Sequence, residues 1–163
     1  MIKLIEDNDV VEAINLMNVS VNMEDYKDRK RNEAAWISYF LSLIKKQKEG
    51  SPHALVIGDY AKDNQLRGFL SAASFVDFYN NTYIMDVKDC IVDHNYNNAF
   101  TVYRLFDYMI DHTKKNGGSS WRADSIRPEE EGKAYAKFLG KRYNTKTHVS
   151  VRGMIQENED ETI

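Results

Sequence analysis

Two rhythms of apolar and polar residues run along this chain, and the switches between them mark out its elements. Residues 2–5 are a short β-branched run of the kind that forms a strand. Asp7 or Asn8 can cap a following helix, on which Val10, Ile14 and Met17 are spaced to share one face. A charged stretch at 23–31 reads as a solvated loop or helical turn. Residues 33–46 then predict a stronger helix, with Ile37, Phe40, Leu41 and Ile44 as its apolar stripe. Gly50, Ser51 and Pro52 break it.

The rhythm next shifts toward strands. Residues 53–60 carry Leu55, Val56 and Ile57, residues 66–78 form a second run and residues 82–92 a third. The turns between them are marked by Lys62, Asp63 and Asn64, then by Asn80 and Asn81, giving an antiparallel meander. Residues 99–115 return to helical spacing, with Val102, Leu105, Phe106 and Met109 inward and Arg104, Asp111 and Lys115 outward. Gly117 and Gly118 suit the left-handed end of that helix. A strand at 120–126 follows. Pro128 and the acidic Glu129, Glu130 and Glu131 then open a helix that ends at Gly140. A last strand is expected at 146–155, and residues 142–145 add a short optional one. The order β-α-α-β-β-β-α-β-α-β predicts an α/β fold: a mixed sheet with helices on both faces.

Composition constrains function more than fold. Of 163 residues, 42% are hydrophobic and 29% charged, as in an ordinary globular domain. The expectation is one domain over 1–155 and a frayed acidic tail at 156–163. With 22 basic against 25 acidic residues the net charge is −3, which argues against a nucleic-acid surface. No apolar run approaches the ~18 residues needed to span a bilayer. Asp7, Asp9 and Glu12 interrupt the start before a signal-peptide core can form. A soluble cytoplasmic protein without membrane or nucleic-acid partners is expected. Cys90 is the only cysteine and reads as a core thiol rather than a nucleophile. His53, His94, His112 and His148 lack ligand spacing, so no metal is expected.

The element order resembles that of the GNAT superfamily of acyl-CoA N-acyltransferases over nearly the whole chain, most specifically from Tyr83 to Tyr143. In that family the fourth strand runs into a loop of pattern Arg/Gln-x-x-Gly-x-Gly/Ala that opens the central helix. Its backbone N–H groups cradle the pyrophosphate of acetyl-CoA, because a helix N-terminus offers unpaired donors to an anion and glycines permit close approach. Residues 92–102 are a degenerate version of that loop. Asn97 stands at the Arg/Gln position, and Phe100 and Val102 stand at glycine-class positions. The resemblance implies a mostly antiparallel sheet. It also implies acetyl-CoA, or another acyl-CoA, held by the backbones of Cys90 and Val92 and by Asn97, Asn98, Ala99, Phe100, Thr101 and Val102.

The same resemblance supplies candidate chemistry. The family's general acid is a tyrosine shortly before a Gly-Phe pair. Phe138 falls at that position and has no proton to give. Tyr135, one helical turn earlier, is the substitute, or else a half-buried helix residue with its hydroxyl at the surface. A base must take a proton from the attacking ammonium, and Asp86 and Asp89 on the 82–92 strand are the candidates. Strict alternation puts them on opposite sheet faces, Asp89 sharing parity with Tyr83, Met85, Val87 and Ile91. Either carboxylate has a structural alternative, in water or paired with Lys88 or Arg122. His94, beside Asp93, is a further base or a solvated loop histidine. Phe75, Phe78, Tyr79 and Tyr83 line an acceptor pocket or pack the sheet. The expected function is acyl transfer from acyl-CoA to the amine of a small molecule or protein, by direct attack in a ternary complex. The alternative is a GNAT-fold module without catalysis that binds a protein partner or assembles with itself. A phage or mobile-element protein, virion components included, would fit that description.

Overall fold

The structure, a computed structural model, describes residues 1–20, 32–93, 95, 98–123 and 129–146. They fall in two compact units, Met1–Asp124 and Ser125–Ile163. In the first, β1 (Ile2–Leu4), β2 (Ala54–Tyr60), β3 (Leu66–Asp77), β4 (Thr82–Val92) and β5 (Ser120–Ala123) form one sheet in that order. The first four are antiparallel neighbours. β5 runs parallel to β4, from Ile84↔Ser120 to Val87↔Ala123, after a crossover through α3 (Asn98–Lys115). The meander and the crossover are therefore as expected. Asn64 and Asn81 adopt φ of 67° and 51°, the left-handed corner that asparagine tolerates in tight turns.

Side-chain alternation gives the sheet two buried faces. On one, Ala54, Val56 and Phe69 pack against Ala13, Leu16 and Met17 of α1 (Val10–Ser20) and Phe40, Leu43 and Ile44 of α2 (Glu33–Lys48). Trp36 stacks on Phe40 with centroids 4.9 Å apart, and Phe40 meets Phe69 edge-on at 5.5 Å. The working stripe of α2 is thus Trp36, Phe40, Leu43 and Ile44. Leu41, expected inside, is 41% exposed, because the i, i+4, i+7 row from Trp36 faces the sheet instead. On the other face α3 buries Val102, Leu105, Phe106 and Met109, with Leu55, Ile57, Leu70 and Met85 of the opposite strand parity also buried. Phe106 meets Trp121 of β5 edge-on at 5.2 Å.

Helix ends follow local chemistry. Asp7–Asp9 form a short 3-10 turn ahead of α1, entered through Glu6, whose N–H donates to the Asp9 carboxylate at 3.1 Å. Neither Asp7 nor Asn8 is the cap. Asn32 caps α2 by accepting from the Ala35 N–H at 3.0 Å. Gly117, at φ 81°, closes α3 in the left-handed conformation. Gln47 of α2 accepts from the Val56 N–H at 2.7 Å, satisfying a strand donor with a helix side chain.

One buried charge ties the first residue to the sheet and to α3. Asp59 is fully buried and accepts from the Met1 ammonium (3.1 Å), Arg67 Nη2 (3.0 Å) and Arg104 Nη2 (2.5 Å). Burial alone would raise its carboxyl. The three cationic donors outweigh that and hold it below the ordinary carboxylate range.

The second unit contains α4 (Glu129–Gly140), with Leu139 buried. The N–H groups of Arg142 and Tyr143 both bond to the Leu139 carbonyl, at 3.1 and 2.9 Å. This closes a turn where the optional strand at 142–145 was expected, since those N–H groups are drawn back to the helix end. The expected last strand, from 147 onward, the acidic tail and the charged stretch at 23–31 lie outside the described residues. Among the described residues no helix is long and apolar enough to cross a membrane.

Asp59→Asn should lower stability at neutral pH by about 2 kcal/mol. That is less than the ~3–5 kcal/mol of a fully buried pair, because the cations left behind can turn toward water. The native carboxyl titrates below the 3.8 of an unperturbed aspartate. Its contribution is therefore present above pH 3.8 and lost as pH falls through the native value. The gap between the two proteins in urea unfolding should be constant at neutral pH and close in acid.

Candidate active site

The register of β4 on β3 shifts between Ser71 and Ala72. Ser71 pairs with Asp89 but Ala72 pairs with Val87, so Lys88 is an extra residue and β4 bulges there. One inserted residue reverses the parity of everything after it. Tyr83, Met85 and Val87 point into the core on the α3 side. Asp89, expected to share their face, lies instead on the α2 side with Asp86. The separation of the two carboxylates onto opposite faces is thus overturned by the bulge: Asp86 pairs opposite Ala73 and Asp89 opposite Ser71, two residues apart on one face of β3.

The two carboxylates have different surroundings. Asp86, 4% exposed, receives Arg122 Nε at 3.1 Å on Oδ1 and Arg122 Nη2 at 3.0 Å on Oδ2, with Lys88 Nζ also on Oδ2. Arg122 is its cross-strand partner on β5 and lies over the Phe75 ring, 4.8 Å from the centroid. Burial pushes the Asp86 carboxyl up, and the bonds from Arg122 and Lys88 outweigh it and hold the group low. Such a carboxylate is an ion-pair partner, the structural alternative read from the sequence, and a poor proton acceptor. Asp89 Oδ2 accepts from Ser71 Oγ at 2.6 Å and from the Trp36 indole N–H at 3.2 Å. Tyr39, one turn along α2, faces the same group. Burial raises its phenol, Lys88 pulls it down, and Asp89 and Asp86 push it up.

The candidate cofactor residues divide between the end of β4 and the start of α3. Asp93 N–H donates to the Arg67 carbonyl at 2.9 Å. Antiparallel alternation therefore aims the backbones of Cys90 and Val92 away from β3, toward the β5 side. Past Val87↔Ala123, the last described β4–β5 pair, β4 continues through residues 88–92. The first turn of α3 holds no acidic residue. Thr101 and Val102 are buried against the sheet, Ala99 is half-buried and Phe100 is 66% exposed. Gly68 lets that turn approach, since a Cβ there would lie 2.8 Å from the Ile91 oxygen and 2.9 Å from Thr101 Cγ2. Asn97 and His94 lie outside the described residues, and Asn98 is the first residue of α3.

The expected aromatic pocket does not form as one group. Tyr83 is on the α3 side, edge-on to His53 at 5.1 Å and bonded to the Thr113 carbonyl at 3.3 Å, while Phe75 lies under Arg122. Phe78 and Tyr79 sit at the hairpin tip, 91% and 99% exposed. Tyr135 and Phe138 are half-buried on α4, in the second unit. Trp36, Ser71 and Tyr39 were not singled out in the sequence. The signal for Trp36 was its place in the i, i+4, i+7 row. Ser71 carries none, because its role depends on the bulge in the partner strand.

No family model matches the chain, and no curated protein matches its sequence. Solved structures do. An aminoglycoside acetyltransferase from an uncultured soil metagenomic sample aligns with TM-score 0.70 at 12% identity, covering 96% of each chain. A ribosomal-protein-alanine N-acetyltransferase from Brucella melitensis biovar Abortus 2308 gives 0.62 at 17%, over 94% of this chain and 99% of that one. The chain has the GNAT fold. A transcriptional regulator from Bacillus halodurans C-125 is similar at 0.72 and 12% identity, over 95% and 99%. In this fold, Asp86 and Arg122 meet across the parallel β4–β5 pair.

Arg122→Met removes both guanidinium bonds and leaves Asp86 with Lys88 alone. It should cost about 1–2 kcal/mol, at the low end for bonds to a charged group because the arginine is half in water. Thermal melts at pH 7 would measure this.

Proposed function

We infer that the protein is an N-acyltransferase using an acyl-CoA donor and an amine acceptor. The observation that carries this is Asp89, turned by the Lys88 bulge onto the α2 face just past the last described parallel β4–β5 pair. The GNAT fold and the acetyltransferases among the similar structures support the reaction class. Those relatives are named for acceptors as unlike as an aminoglycoside and a ribosomal-protein alanine, so the shared chemistry is the amine.

In this reading the α3 N-terminus offers its backbone donors to the donor's phosphates, with no acidic side chain in the first turn to oppose them. The outward backbones of Cys90 and Val92 follow the pantetheine arm. Asn97, Asn98, Ala99, Phe100, Thr101 and Val102 complete the phosphate end. Phe100, projecting into solvent, leaves the sheet-facing side of the turn to Thr101 and Val102. The bound thioester supplies an acyl carbon to which the amine nitrogen bonds as the carbon–sulfur bond breaks. Of the two protons the ammonium gives up, Asp89 takes one, directly or through water, and the departing thiolate takes the other. Asp86 is held by Arg122 and Lys88 and serves the join of β4 to β5 rather than the proton transfer.

A second reading, a non-catalytic module, has an observation of its own. The structural relatives include a transcriptional regulator, and Phe138 stands where the fold's enzymes place their acid.

Asp89→Asn should lower turnover on an amine panel by roughly 100-fold or more, the scale of lost general-base catalysis, while acetyl-CoA binding by calorimetry stays unchanged. Asp86→Asn should act through stability. Wild-type protein that neither binds acetyl-CoA nor acylates any amine would leave the module reading standing.

A further inference from the structure

The geometry points to Ser71 and Trp36 as positioning residues that set the orientation and protonation of Asp89. The inference rests on the reading of Asp89 as the base. Both donors bond the same oxygen, Oδ2, from two different elements: Ser71 across the strand at 2.6 Å and Trp36 from α2 at 3.2 Å. Two bonds on one oxygen fix the carboxylate plane and favour the charged form, which is the form that can accept a proton.

Neither donor is itself free to move far. Ser71 is fully buried in β3, opposite Asp89 at the edge of the bulge. The Trp36 ring is stacked on Phe40 at 4.9 Å and lies 6.4 Å from Phe69, so its N–H is aimed by the aromatic core of the α2 face. A residue 53 positions away in sequence thereby reaches Asp89 through its indole N–H. Packing alone does not require a tryptophan here, since phenylalanine could stack on Phe40. The indole N–H is what phenylalanine lacks.

Other described groups lie on the same face. Tyr39 on α2 is a phenol pushed up by burial and by the two aspartates. On β4, Lys88 is bonded to Asp86, and Arg122 of β5 is bonded to Asp86 as well. α1, also against this face, carries Glu12, which accepts from the Leu66 N–H at 2.8 Å. Among the interactions above, Ser71 and Trp36 are the donors placed on the Asp89 carboxylate itself.

The test follows the Asp89 carboxyl carbon by NMR as pH is varied, with Asp89→Asn identifying the resonance. Ser71→Ala and Trp36→Phe should each move its titration midpoint to higher pH, by about 0.5–1 unit, because a donor to the charged form is lost. Ser71→Thr keeps the hydroxyl and should restore the wild-type midpoint, which a purely structural role would not do. The Trp36 indole proton should shift upfield in Asp89→Asn. Where acyl transfer is measurable, the acidic limb of the rate profile should move with the midpoint. Midpoints unchanged in both Ser71→Ala and Trp36→Phe overturn the inference. If Trp36→Phe does not fold, the Ser71→Ala and Ser71→Thr pair decides alone. Shifted midpoints in a protein that acylates no amine uphold the coupling and refute the proposed function.

Discussion

A β-strand shows its side chains to alternate faces, and on a sheet buried on both sides that alternation leaves little room for a polar group. β4 meets the constraint by inserting Lys88. Before the bulge, Tyr83, Met85 and Val87 feed the α3 side of the core, and Asp86 turns to the α2 side. After it, Asp89 does so as well, without two consecutive strand positions having to be polar in register. The bulge also coincides with the end of the described β4–β5 pairing. One extra residue therefore sets the parity of the strand's second half and the company of Asp89.

Two buried aspartates divide the remaining work. Asp59 gathers the first residue's ammonium, Arg67 and Arg104, tying β1, β2, β3 and α3 together at one end of the sheet. Asp86 gathers Lys88 and Arg122, tying β4 to β5. In both cases enough cationic donors converge to overcome the cost of burying a carboxylate. On Asp89, Oδ2 accepts from a hydroxyl and an indole, neutral donors that orient the carboxylate.

Much of the fold was legible because its signals are local. The bounds of β4 match the sequence reading, α3 begins one residue early, and the asparagine turns and Gly117 fall where backbone chemistry puts them. The inward row of α3 was read correctly because its amphipathic pattern is clean. The row on α2 was misread by a fraction of a turn: Leu41 and Leu43 are both apolar, and only the sheet decides between them. The site was less legible for a definite reason. Parity from Tyr83 to Asp89 is unambiguous on paper, and a bulge leaves no mark in the residues that bulge. Lys88 looks like any exposed lysine, and Ser71 like any small strand residue. Their meaning appears only once β3 and β4 are laid side by side.

The Asp86–Arg122 pair has a mechanical consequence for the join between β4 and β5. The described ladder between the two strands is four residue pairs long. Beside it, on the α2 face, a guanidinium is doubly bonded to a buried carboxylate and backed by the Phe75 ring. Peeling β5 from β4 therefore means breaking a bidentate ion pair together with the ladder, so the two side chains act as a rivet through a short seam.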